Sequence, residues 1–129
     1  MRPEDALHLS ICEFIRYQYP QVIFTSEPSG LRLPIGQATK LKRMRSGSKL
    51  PDLWILEPRQ NYHGLFLEVK TETPKKRDGD WKTEHIAQQA EVIDKLNNKG
   101  YKADFVWSLD QAIEVINDYM NANSSTTRI

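Results

Sequence analysis

The chain has 129 residues, 39% of them hydrophobic and 27% charged, with a formal net charge of +1. That suffices for one domain with a proper core but not for two, in the balance of an ordinary soluble globular protein. No apolar run approaches the roughly 20 residues of a membrane span, and the single cysteine, Cys12, excludes an intramolecular disulfide or a cysteine-rich zinc site. With Glu4 and Asp5 and no apolar h-region near its start, the N-terminal stretch does not read as a secretory signal. A cytoplasmic setting without membrane contact is expected.

In chain order, residues 3 to 19 read as a helix. Leu7, Ile11, Phe14 and Ile15 follow helical spacing, and Pro3 suits a first turn. Glu4 extends this stripe at its N-terminal end. It is either a first-turn acid favoured by the helix dipole or a carboxylate aimed at a site beyond the helix end. Tyr19–Pro20 stops the helix. Val22–Ile23–Phe24 reads as a short strand and Glu27–Pro28–Ser29–Gly30 as a turn. Residues 31 to 49 are hard to assign, and Gln37 to Arg45 could make a short basic helix between Gly36 and Gly47.

Leu50 to Leu56 and Gly64 to Lys70 are short apolar runs bounded by Pro, Asn and Gly, and read as two strands joined by a hairpin through Asn61–Tyr62–His63–Gly64. Side chains alternate along a strand. Phe66, Glu68 and Lys70 therefore share one face, and Leu65, Leu67 and Val69 the other. A purely structural strand has little reason to carry Glu and Lys amid so much apolar sequence. If Asp52 and Glu68 converge from adjacent strands, their carboxylates can hold one hard divalent cation, Mg²⁺ or Mn²⁺. Lys70 can then orient a water or meet charge developing on a phosphate. The plainer alternative is a turn before a strand plus an exposed ion pair. His63, at the turn, reads as a surface histidine.

Residues 71 to 83 are polar and read as a mobile loop in which Trp81 either packs or stacks on a base. Thr83 caps a helix over 84 to 99, closed at Lys99–Gly100, with a stripe of Ile86, Ala90, Ile93 and Leu96. Gln89 falls on that stripe, and Gln88 is rotated away by about 100 degrees. An inward amide needs a partner, so Gln89 is a site candidate. Tyr101 to Trp107 reads as a strand. Ser108 and Gln111 resemble a capping box for a final helix running to about Met120. Residues 122 to 129 lack periodicity and read as a disordered tail. No glycine-rich phosphate loop is present, so no nucleotide cofactor is expected. Lys40, Lys42, Arg43, Arg45 and Lys49 make one basic cluster, and Lys75, Lys76 and Arg77 another. Both are candidate phosphate contacts on a near-neutral protein.

The expected order is αβββαβα, an α/β fold with a mixed β-sheet core flanked by helices, in one domain over residues 1 to 121. Pro51–Asp52 followed by Glu68–Val69–Lys70 resembles the PD-(D/E)xK nuclease motif of restriction-endonuclease-like folds. More narrowly, the chain resembles the VRR-NUC family of that superfamily. The carriers are the Glu4-led helix, Tyr19–Pro20, Lys42–Arg43–Met44 and Gly47 ahead of Leu50–Pro51–Asp52–Leu53, His63 to Lys70, Gln89, Gly100–Tyr101, and Ala112–Ile113 with Tyr119. The chain departs at Ser29–Gly30 and Ser46–Gly47–Ser48–Lys49, where more glycine is expected.

The resemblance implies a metal-dependent, structure-selective DNA endonuclease. Asp52, Glu68 and the Val69 carbonyl would ligate the metal, Lys70 would position the attacking water, and Glu4 and Gln89 would complete the catalytic set. Small members of this family resemble homodimeric Holliday-junction resolvases of phages and bacteria, so branched DNA and a second copy are the expected partners. A flap or general DNA endonuclease, or a DNA-binding module of the same fold without catalysis, are the alternatives.

Overall fold

The computed structural model describes residues 1–121. The tail expected from residue 122 onward lies outside the described residues. Four helices, α1 (Pro3–Gln18), α2 (Ile35–Arg43), α3 (Glu84–Asn98) and α4 (Leu109–Asn121), accompany four strands, β1 (Phe24–Ser26), β2 (Leu53–Ile55), β3 (Leu65–Val69) and β4 (Lys102–Val106). The strands form one sheet in the order β1-β2-β3-β4. The first two pairings are antiparallel and β3 pairs with β4 in parallel. The architecture is the expected mixed α/β sheet with the acidic strands in its centre. The basic helix enters two residues earlier than expected, as α2, and the first strand is Phe24–Ser26 rather than 22 to 24. Its start is delayed because Val22 still closes a turn on the Tyr19 carbonyl, at 3.0 Å.

The two faces of β3 separate as period-two alternation requires. Leu65, Leu67 and Val69 pack with Ile11, Ile15, Ile116 and Tyr119 from α1 and α4. Phe66 packs with Ala90 and Ile93 of α3 and with Ala103 and Phe105 of β4. Each fully buried Leu or Ile contributes about 1.5–3 kcal/mol. A one-residue slip of β3 would turn Leu65, Leu67 and Val69 away from their core and bring Glu68 into it. The apolar pattern thus fixes which way Glu68 points.

β2 and β3 are joined through an Arg59–Tyr62 bridge around Gln60 and Asn61, at φ 53° and 74°. Two consecutive positive φ values match the twist of a two-residue hairpin turn. The Gln60 amide donates to the Asp118 and Tyr119 carbonyls at 3.1 and 2.7 Å, tying this turn to the end of α4. Residues 71 to 83 are not an open loop. Lys75 bridges Trp81, Lys76 N–H meets the Asp80 carbonyl at 2.8 Å, and Trp81 packs on Phe105 at 5.4 Å between centroids.

Thr83 Oγ1 accepts the Ile86 N–H at 3.0 Å as the N-cap of α3. At the other end Tyr101 N–H reaches the Leu96 carbonyl and Gly100 N–H the Asn97 carbonyl, at 3.1 and 3.3 Å. This double closure needs a left-handed residue, and Gly100 supplies it at φ +96°. The outer edge of β4 is closed by side chains. Asn97 Oδ1 accepts the Ala103 N–H at 2.8 Å, Asp104 Oδ1 the Phe105 N–H at 2.9 Å, and Gln111 Oε1 the Trp107 N–H at 2.6 Å. Such an edge does not recruit another strand. Among the described residues, no helix is long and apolar enough to cross a membrane.

Candidate active site

The pairing rule of β2 with β3 carries one step past the last paired residues. Leu53 faces Leu67 and Trp54 faces Phe66, so Asp52 stands opposite Glu68. The β1–β2 register extends likewise. Ser26 faces Leu53, and the Glu27 N–H donates to the Asp52 carbonyl at 2.8 Å. Three acids, Glu27, Asp52 and Glu68, therefore stand in one row across three strands. All three are buried, at 6%, 6% and 3% exposure.

Backbone directions explain why this row comes together. Lys70 N–H points to β4, reaching the Val106 carbonyl at 2.8 Å, so Val69 N–H points the opposite way, to β2. There it meets Asp52 Oδ2 at 2.9 Å. Asp52 and Glu68 consequently fall in the non-hydrogen-bonded register, where facing side chains lie nearest. In an extended strand a residue's N–H and C=O point to the same neighbour, so the Val69 carbonyl faces the same side. Its ladder partner there would be Pro51, which has no N–H to offer. The Pro51 carbonyl is itself taken by the Trp54 indole N–H at 2.8 Å. Proline at position 51 thus ends the ladder and leaves both backbone groups of Val69 for the site.

Two of the three acids in the row have a basic partner. Arg45 Nη2 donates to Glu27 Oε1 at 2.8 Å, and the Ser29 N–H donates to the same oxygen at 3.1 Å. Lys49 Nζ lies 3.5 Å from Asp52 Oδ1. Burial first, then the hydrogen bond and charge of Asp52, push Glu68 up to about 9, with Lys70 and Lys49 opposing. At neutral pH Glu68 therefore keeps its proton.

Gln89 lies where its stripe position predicts. Its Nε2 donates to Glu68 Oε2 at 3.0 Å, while its Oε1 is buried and without a partner. Gln88 faces solvent. Glu4 is exposed rather than on the buried face, and its carboxylate has no polar partner among the described residues. It nonetheless lines, with His8, Glu27, Lys49 and Asp52, a cleft of about 700 Å³ between the start of α1 and the sheet end. Cys12 also borders this cleft, but burial raises its thiol, so it is a packing residue rather than a nucleophile. His63 is exposed at the opposite end of β3, edge-on to Tyr101.

The basic clusters divide. Arg45 and Lys49 turn inward onto Glu27 and Asp52, and Lys75 lies over the Trp81 ring at 4.8 Å. Lys40, Lys42 and Arg43 on α2, and Lys76 and Arg77 on the small hairpin, are exposed. Glu27 is the acid that reading the sequence as a turn misses. Finding it requires the β1–β2 register, which no local pattern of the chain supplies.

No cluster of three or more His, Cys, Asp and Glu side chains with ligating geometry occurs among the described residues. Two carboxylates and a carbonyl still suit Mg²⁺, which keeps several waters and takes one or two carboxylates with substrate phosphate. The all-oxygen donors, the proton forced onto the acid pair and the orphaned Gln89 oxygen fit such an ion and its water shell.

No family model matches the chain, and no curated protein matches it. A solved structure described as a VRR_NUC domain protein superposes on it with a TM-score of 0.61 at 27% identity. The match covers 91% of this chain and 87% of that one. The αβββαβα core with an added α2, the Pro51–Asp52 and Glu68–Val69–Lys70 residues at one sheet end, and a superposition over 91% of the chain together support placing it with the VRR-NUC nucleases.

Proposed function

We propose that the protein is a metal-dependent, structure-selective DNA endonuclease that hydrolyses phosphodiester bonds, acting as a homodimer on four-way junctions. The observation that carries this reading is the buried Asp52–Glu68 pair, with the Val69 backbone turned toward it and Lys70 next along the same strand.

A divalent cation held by Asp52, Glu68 and the Val69 carbonyl would supply charge neutralisation at the phosphate and a water of lowered pKa. The chain's own residues do the rest. Lys70, two residues beyond Glu68 on the same face, holds the attacking water or meets the developing negative charge. Gln89 fixes the orientation of Glu68 through Oε2 and presents its free Oε1 as an acceptor. Glu4 places a further carboxylate at the cleft mouth. Lys40, Lys42, Arg43, Lys76 and Arg77 offer charge to phosphates flanking the scissile one.

Two features support a second copy. A resolvase must make two symmetric cuts, which a two-fold dimer supplies. The α2 helix has no buried residue, and Ile35 within it and Leu31 and Met44 flanking it in sequence are exposed. A nine-residue helix is marginal when nothing covers it.

The test is cleavage of a labelled four-way junction in Mg²⁺ or Mn²⁺ beside flap and duplex controls, with wild type and Asp52→Ala, and with the mass in solution measured at micromolar concentration. Paired symmetric cuts by a wild-type dimer are expected. Cutting of flaps or duplex instead keeps the hydrolytic site and discards the junction. Intact DNA binding without cleavage of any substrate points to a binding module.

A further inference from the structure

The two acid–base pairs of the row are not equivalent. Arg45 meets Glu27 at 2.8 Å, with side-chain exposures of 20% and 3%, and the Ser29 N–H braces the same carboxylate. Lys49 Nζ stands 3.5 Å from Asp52 Oδ1, longer than a well-formed charged hydrogen bond. Its side chain is 32% exposed, and its charge also acts on Glu68. Lys49 follows Ser46–Gly47–Ser48, a stretch without helix or strand. Its ammonium sits on a flexible four-carbon stem.

The geometry points to Lys49 as a place-holding cation. Its ammonium neutralises the acid pair while no divalent cation is bound, is exchanged for that cation on binding, and is then free to take a DNA phosphate at the cleft. The inference rests on the nuclease reading and adds a coupling between metal and DNA that the reading does not itself require. The physical basis is simple. A buried pair of carboxylates needs counter-charge, and Lys49 supplies it beside Asp52 Oδ1, an oxygen that a metal would use. An ammonium about 5 Å from a divalent ion weakens that ion's binding by at least about tenfold, even at the dielectric of water.

The experiment is Mn²⁺ binding to the DNA-free protein by calorimetry or electron paramagnetic resonance. Lys49→Gln should bind Mn²⁺ at least about tenfold more tightly than wild type, Lys49→Arg should match wild type, and Asp52→Asn should lose the site. Unchanged or weaker binding by Lys49→Gln, with wild type binding normally, overturns this proposal alone. Absence of Mn²⁺ binding by wild type overturns the metal-site reading and this proposal with it. For the second half, duplex affinity is compared in Ca²⁺ and in EDTA. The calcium-dependent gain should be larger for wild type than for Lys49→Gln, and equal gains overturn the handover to phosphate.

Discussion

Asp52 Oδ2 accepts the Val69 N–H at 2.9 Å, where a continued β2 would have placed the Pro51 carbonyl. One side chain thus replaces a rung of the sheet and is locked beside Glu68 by it. Burial of Glu68, and then the closeness of Asp52, has a cost that depends on pH. Glu68 is raised to about 9 from its ordinary 4.5. Between those values the folded protein holds a proton that the unfolded chain releases, so stability falls as pH rises through that window. Denaturant titrations in EDTA at several pH values should show this decline, and Glu68→Gln should flatten it. Metal binding should release close to one proton per ion at neutral pH.

Gln89 touches Glu68 at 3.0 Å and otherwise keeps a buried oxygen unpaired. In the proposed metal site its role is to orient a ligand. Gln89→Ala should lower Mn²⁺ affinity or cleavage by roughly 10–100-fold while the fold is retained. Circular dichroism beside a Mn²⁺ titration checks both. An unaltered titration would make Gln89 a packing residue only.

Arg45 and the α2 lysines look alike in sequence but have different partners. Arg45→Met strands the buried Glu27 carboxylate and should destabilise the protein by about 3–5 kcal/mol, measured by urea unfolding. Replacing Lys40, Lys42 and Arg43 together by Gln should leave stability nearly unchanged. It should instead weaken DNA binding and reduce the salt slope by about 0.9 for each phosphate no longer neutralised.

Gly100 closes α3 at φ +96°, and a Cβ there would stand 2.7 Å from His63 Nε2. Gly100→Ala should destabilise by about 1–2 kcal/mol from backbone strain, with a further loss unless His63 moves aside. His63→Ala in the same background should recover the steric part alone, read from the two unfolding midpoints.

Much of this arrangement was legible in the chain because it rests on local periodicity. The alternation of Leu65, Leu67 and Val69 against Phe66, Glu68 and Lys70 sets the face of Glu68. The stripe of α3 sets Gln89 inward and Gln88 outward. What stayed hidden depends on contacts distant in sequence. Glu27 joins the row only through strand register, and Arg45 and Lys49 turn inward only because that row draws them. The hairpin over residues 71 to 83 is held by Trp81 on Phe105, a contact that its polar sequence does not disclose. Glu4 obeys its helical stripe, but it stands in the first turn, where the helix end runs out past the sheet core.

The most direct measurement is DNA cleavage in Mg²⁺ by wild type, Lys70→Met and Asp52→Asn, each paired with a Mn²⁺ titration. The acid row as a hydrolytic metal site predicts that wild type binds and cuts, Lys70→Met binds but does not cut, and Asp52→Asn does neither. Cleavage by Asp52→Asn at the wild-type rate would contradict it.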